Sequence, residues 1–141
     1  MVTVDANVLL YAVNGASPHH RVAKGWVEGA LGGDEPVGFA WVVLLAFLRL
    51  VTLPAVFPKP LDVDVALDVV EAWLSARAAT VVQPTARHAA VLGGFLRASG
   101  TAGNLVTDAH LATLAVEYGA RLCTFDRDFA RFAGVRSFAP A

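Results

Sequence analysis

A chain of 141 residues carrying 11 Lys plus Arg against 12 Asp plus Glu is sized for one domain, residues 1–141, and its charge balance excludes a globally basic nucleic-acid-binding surface. Its 56% hydrophobic content is more than a domain of this size hides, so a dimer or partner surface is expected. The richest apolar run, Val37 to Leu48, is too short for a membrane span, and the lone Cys123 excludes an internal disulfide and fits a reducing cytoplasm.

Val2 to Val4 is a β-branched run ending at Asp5, and the apolar crowding from Asn7 to Val13 is helical, giving strand, acidic turn and helix. No secretory leader pattern precedes it, so export is not expected. Ser17-Pro18 supplies an N-cap and a first-turn proline for a helix through about Ala30, stopped by Gly32-Gly33. Pro36 to Ala40 reads as a second strand and Trp41 to Thr52 as a strongly apolar helix. After a loop marked by Pro54, Pro58 and Pro60, Asp62 caps a helix whose Val65, Leu67, Val69, Val70, Trp73 and Leu74 suit one buried face. Thr80 to Gln83 is a third strand, Pro84-Thr85 opens a helix to about Ala98, and Gly100 to Gly103 is a flexible loop. Asn104 to Tyr118 is a helix closed by Gly119. Arg121 to Thr124 is a fourth strand leading to Asp126, Phe129 to Phe132 a helical turn, and Val135 to Phe138 a last edge strand.

Strands alternating with helices predict an α/β fold, with a central parallel sheet of four to five strands covered on both faces. In such sheets ligands gather beyond the carboxyl ends of the strands, and Asp5 and Asp126 both lie at such ends. A carboxylate there is costly to bury unless something positive meets it, so Asp5, Asp108 and Asp126 converging would make a hard-cation site. Asn7 and Thr107 are short and neutral, suited to supporting hydrogen bonds. Any one aspartate is also an ordinary cap or turn former, the reading given to Asp34 and Asp62, and Asp128 is read equally as an outer member of the cluster or a solvated turn. Arg49 and Arg127, with Arg131, are placed for RNA phosphates or for plain solvation. His110 stands about 200° around its helix from Asp108 and is read as a helix-packing residue, while His19, His20 and His88 have no zinc-ligand spacing. The three tryptophans and the phenylalanines are assigned to core or dimer contacts rather than base stacking.

Four blocks together carry a resemblance: Asp5-Ala6-Asn7; Phe47-Leu48-Arg49 followed by Thr52; Asn104-Leu105-Val106-Thr107-Asp108-Ala109-His110-Leu111-Ala112; and Thr124-Phe125-Asp126-Arg127-Asp128-Phe129. In their order and spacing the chain resembles a PIN domain, most closely the VapC-type toxin ribonucleases of bacterial toxin-antitoxin pairs. The resemblance implies a three-layer α/β/α fold and a cytoplasmic endonuclease of single-stranded or loop RNA. It implies Mg2+, or Mn2+, held by Asp5, Asp108 and Asp126 as the catalytic acids. It also implies a homodimer neutralised by a cognate VapB-like antitoxin. The chain departs from the family where a glutamate commonly precedes the Phe-Leu-Arg segment: here the residue is Ala46, and none of Glu28, Glu35, Glu71 and Glu117 is an obvious replacement. Two other functions stay open. One is a degenerate PIN domain that binds RNA or a protein without cutting. The other is a phosphohydrolase or receiver, for which the aspartate wanted at Asn7 and the late lysine are missing.

Overall fold

The computed structural model describes residues 1–100 and 102–141; of the loop expected over Gly100 to Gly103, Thr101 lies outside the described residues. Five strands, β1 (Val2–Val4), β2 (Val37–Phe39), β3 (Ala79–Val81), β4 (Arg121–Cys123) and β5 (Ser137–Phe138), form one sheet in the order β3-β2-β1-β4-β5. Every pairing is parallel. The helices are α1 (Ala6–Val13), α2 (His20–Leu31), α3 (Trp41–Val51), α4 (Val63–Leu74), α5 (His88–Ser99) and α6 (Val106–Glu117), with 3-10 turns at Gly103–Leu105 and Arg127–Arg131.

This order follows from chirality. The sheet grows from β1 through β2 to β3 in one direction, so right-handed crossovers lay α1 to α4 on one face. The chain then returns past β1 to add β4, and the same handedness puts α5 and α6 on the other face. Strand order therefore reverses between β1 and β4, and their carboxyl ends border a cleft rather than a packed helix. The core fills the two interlayer spaces: Val4, Leu9, Phe39, Leu44 and Phe47 are fully buried, as are Leu114, Leu122 and Phe129.

Several boundaries differ from the sequence reading. The helix expected from Ser17-Pro18 is regular only from His20; Ser17 Oγ still accepts the His19 N–H at 3.1 Å, but His20 N–H bonds back to Ser17 O at 3.1 Å, so the first turn tightens into an i→i+3 turn. Asp62 stands at the N-cap of α4 without a side-chain capping bond. The buried stripe of α4 is Ala66 and Val70, while Val65 and Leu67 are 48% and 44% exposed. Helix α5 begins at His88, after Thr85 rather than at it, and β3 starts one residue and ends two residues earlier than expected. Trp41 and Leu45 on α3, at 45% and 59% exposure, give the apolar excess of the composition its place on the surface. No described helix is long and apolar enough to cross a membrane.

Candidate active site

Asp5 follows β1 and precedes α1, so its carboxylate becomes the N-cap of α1, Oδ1 accepting the Ala6 N–H at 2.7 Å. Its other oxygen accepts from the Thr124 hydroxyl at 2.7 Å and from Asn7 Nδ2 at 3.1 Å. Thr124, 3% exposed at the end of β4, also accepts from Asn7 Nδ2 at 3.1 Å and from the Asp126 N–H at 3.0 Å. Asn7 completes the lacing by accepting the Phe125 N–H at 3.1 Å. Two neutral side chains thus fix the carboxylate of β1 against the backbone that leaves β4. Thr124 was not among the residues singled out from sequence, and Asn7 has the supporting role expected of it.

Asp126 caps the 3-10 turn Arg127–Arg131, its Oδ1 accepting the Asp128 N–H at 2.8 Å. Asp108 sits in the first turn of α6, where the helix dipole favours an anion. Burial nevertheless pushes its carboxyl above the ordinary carboxylate range, the charges of Asp5 and Asp126 push the same way, and the Arg131 guanidinium opposes them. Asp5 is also raised, chiefly by burial, with its bonds to Thr124 and Ala6 holding it down. Asp5, Thr107 and Asp108 share a cavity of about 190 Å³ with Val42, Ala46 and Leu111. Apolar walls on one side and like charge on the other explain both shifts.

The structure therefore brings Asp5, Asp108 and Asp126 into one electrostatic neighbourhood, with Asp128 on its margin. Among the described residues, however, no three His, Cys, Asp or Glu side chains are grouped closely enough to hold an ion together, and one Asp126 oxygen is committed to the Asp128 amide. The donor set still fits a hard dication that takes one or two carboxylates and keeps water for its other positions. Ala46 faces the same cavity, so a glutamate there would project toward Asp5 and Asp108.

Of the cations, Arg127 lines a shallow pocket with Thr124 and Asp126, and Arg49 is exposed on the last turn of α3. Arg131 is the one whose field reaches Asp108. The two arginines of the 3-10 turn diverge because residues four apart do not eclipse at three residues per turn.

The other titratable groups lie elsewhere. Glu35 pairs with Arg121 at 2.8 Å at the opposite end of the sheet. His110 Nδ1 meets His88 Nε2 at 2.8 Å, and His88 Nδ1 meets Glu117 at 2.8 Å, a network that packs α5 on α6. Burial pushes the Cys123 thiol up to about 12, which leaves it an inert core residue.

A fully parallel α/β sheet with carboxylates gathered where its strand order reverses defines a class of proteins that bind ligands through an acidic cleft at the strand ends. The chain belongs to the PIN domain family, whose model matches residues 2–135. It is similar to Ribonuclease VapC37 of Mycobacterium tuberculosis, 54% identical over 96% of this chain and 94% of that one. It is also similar to Ribonuclease VapC33 of the same species, 37% identical over 96% and 95%. Among solved structures, the fold resembles that of VapBC2 from Rickettsia felis bound to a DNA fragment from its promoter, at TM-score 0.73 and 19% identity over all of both chains. It likewise resembles VapC20 from Mycobacterium tuberculosis, described as a sarcin-ricin loop cleaving toxin, at TM-score 0.68 and 18% identity over 96% of this chain and 99% of that one.

Proposed function

We propose that this chain is an endoribonuclease, the toxin of a toxin-antitoxin pair, with Asp5, Asp108 and Asp126 as its catalytic acids. The observation that carries the chemistry is the pair Asp5 and Asp108, two carboxylates that line one small cavity and are held above their ordinary range chiefly by burial, with the charge of Asp126 pushing both the same way. Such a pair gains most from a bound cation. Asp5 and Asp108 would hold Mg2+ or Mn2+, with Asp126 on the flank. Bound there, the ion would supply polarisation of the scissile phosphate and a water of lowered pKa.

The chain's own residues do the positioning. Thr124 and Asn7 keep one Asp5 oxygen oriented, while Val42, Ala46 and Leu111 exclude bulk water from one side. Arg127 and Arg49 are exposed and would be available to backbone phosphates. The names of the similar ribonucleases support RNA as the substrate. The toxin-antitoxin complexes of like fold support a VapB-like antitoxin as partner, and the exposed apolar residues of α3 fit a homodimer or an antitoxin surface in the cytoplasm. The deciding experiment is RNA cleavage with and without magnesium for the wild type, Asp5→Ala and Asp108→Ala. Full activity in EDTA, or in either variant, removes the proposed chemistry.

Ala46 favours a second reading, a PIN domain that binds without cutting, since a family carboxylate is missing from the cavity itself. Purified antitoxin-free protein that cleaves no RNA across magnesium and manganese titrations would establish it.

A further inference from the structure

Beside the acidic cleft three aromatic rings meet. Tyr11 of α1, His19 ahead of α2 and Phe125 beyond β4 stand in mutual contact, with centroids 5.0 Å apart for Tyr11 and His19, 5.2 Å for Tyr11 and Phe125, and 4.7 Å for His19 and Phe125. His19 is exposed, while Tyr11 and Phe125 are half-buried and pack against the core, so His19 is the ring that the cluster offers to solvent.

Its members are held by the site itself. Phe125 lies between Thr124 and Asp126 in the chain, and its N–H is bound by Asn7, the residue that also binds Asp5. Tyr11 is one turn beyond Asn7 on the same face of α1. His19 is clamped through its N–H by Ser17 Oγ, and the next residue is tied back by His20 Nδ1 to the Tyr11 carbonyl at 2.8 Å. Phe125 is thus registered to the carboxylate through Asn7, and the segment carrying His19 is tied to α1 through His20 and Tyr11.

Electrostatics gives such a surface a purpose. A phosphodiester entering this cleft meets Asp5, Asp108, Asp126 and Asp128, with Arg127 and Arg131 of the 3-10 turn as the cations beside them. Stacking of an unpaired base on an aromatic ring adds affinity that is indifferent to this acidic surrounding and tolerant of sequence. We propose that Tyr11, His19 and Phe125 form a base-stacking subsite that seats an unpaired base of single-stranded RNA beside the scissile phosphate. The proposal deepens the ribonuclease reading and rests on it.

The test uses the full chain and an oligouridylate carrying a single 2-aminopurine, in EDTA so that nothing is cut. Wild type is expected to quench the 2-aminopurine emission on binding, and His19→Ala to bind about ten- to a hundredfold more weakly. His19→Phe keeps a ring and restores binding, whereas His19→Lys keeps only a cation and does not. Absence of quenching by the wild type, equal binding by His19→Ala, or rescue by lysine as good as by phenylalanine would overturn the subsite. Cleavage of total RNA by the wild type, measured in parallel with magnesium, separates the two readings. Cleavage together with unchanged quenching in His19→Ala ends the stacking proposal alone, and no cleavage ends the ribonuclease reading.

Discussion

Replacing Thr124 by valine keeps the shape of a side chain that is 3% exposed and deletes only its hydroxyl. That hydroxyl donates to Asp5 at 2.7 Å and accepts from the Asp126 N–H at 3.0 Å and Asn7 Nδ2 at 3.1 Å. The bond to the carboxylate is worth about 1.5–3 kcal/mol, and an amide left without its partner costs about 1 kcal/mol more. Asn7 keeps its bond to Asp5 and adds little. The expected loss is about 2–4 kcal/mol, a large share of a typical domain's stability of about 5–15 kcal/mol. At a urea dependence of about 2 kcal/mol per molar, the unfolding midpoint falls by about 1–2 M. Thr124→Ser, which keeps the hydroxyl and loses a methyl group, serves as the control. Because the Thr124 bond favours the ionised form of Asp5, the deficit is largest at neutral pH and shrinks as the solution is taken below the carboxylate range. A valine variant no less stable than the serine variant, or a deficit that does not change with pH, would refute the lacing described for Asp5.

Ala46→Glu places a third carboxylate in the cavity of Asp5 and Asp108, so magnesium affinity measured by calorimetry should tighten; unchanged or weaker binding would mean that the added side chain turns away. Asp108→Asn removes a charge that the fold disfavours, since the Asp108 carboxyl is raised by burial and by Asp5 and Asp126. The unfolded chain ionises first, so the cost is absent below the ordinary aspartate pKa of about 4 and fully present above the raised folded value. The variant should therefore melt higher than wild type at pH 7 and identically at pH 3, while losing RNA cleavage. Gly38→Ala would bring a new Cβ to 2.8 Å from Val82 Cγ1 and 3.2 Å from Thr3 Cγ2, with an expected cost of about 1–3 kcal/mol, read as a lower melting temperature.

What could be read from sequence were the features that contrast with their surroundings. Asp5, Asp108 and Asp126 stand out because each adjoins apolar residues, and the alternation of strand and helix implies a cleft where Asp5 and Asp126 meet. Thr124 gives no such signal: a threonine closing a strand is ordinary β chemistry, and its bond to Asp5 spans 119 positions. Helix α4 shows a different limit. Apolar residues at nearly every position leave two candidate stripes, and only packing decides that Ala66 and Val70 turn inward. Phe125 does pack against the core, as its apolar character implies, but its contacts with Tyr11 and His19 depend on what lies across the fold and leave no signal in the local sequence. The three rings come from three separate segments.

The reversal of strand order has a consequence in time. Asp5 is oriented by Thr124, and Asn7 by the backbone of Phe125, so the long-range part of this lacing does not exist until β4 pairs with β1. Closing so long a segment is entropically slow, and a growing chain that has not yet supplied residues 121–126 has only the local bonds from Ala6 and Asn7 to hold the carboxylate. A protein built this way completes the setting of its first carboxylate only as its last strands fall into place.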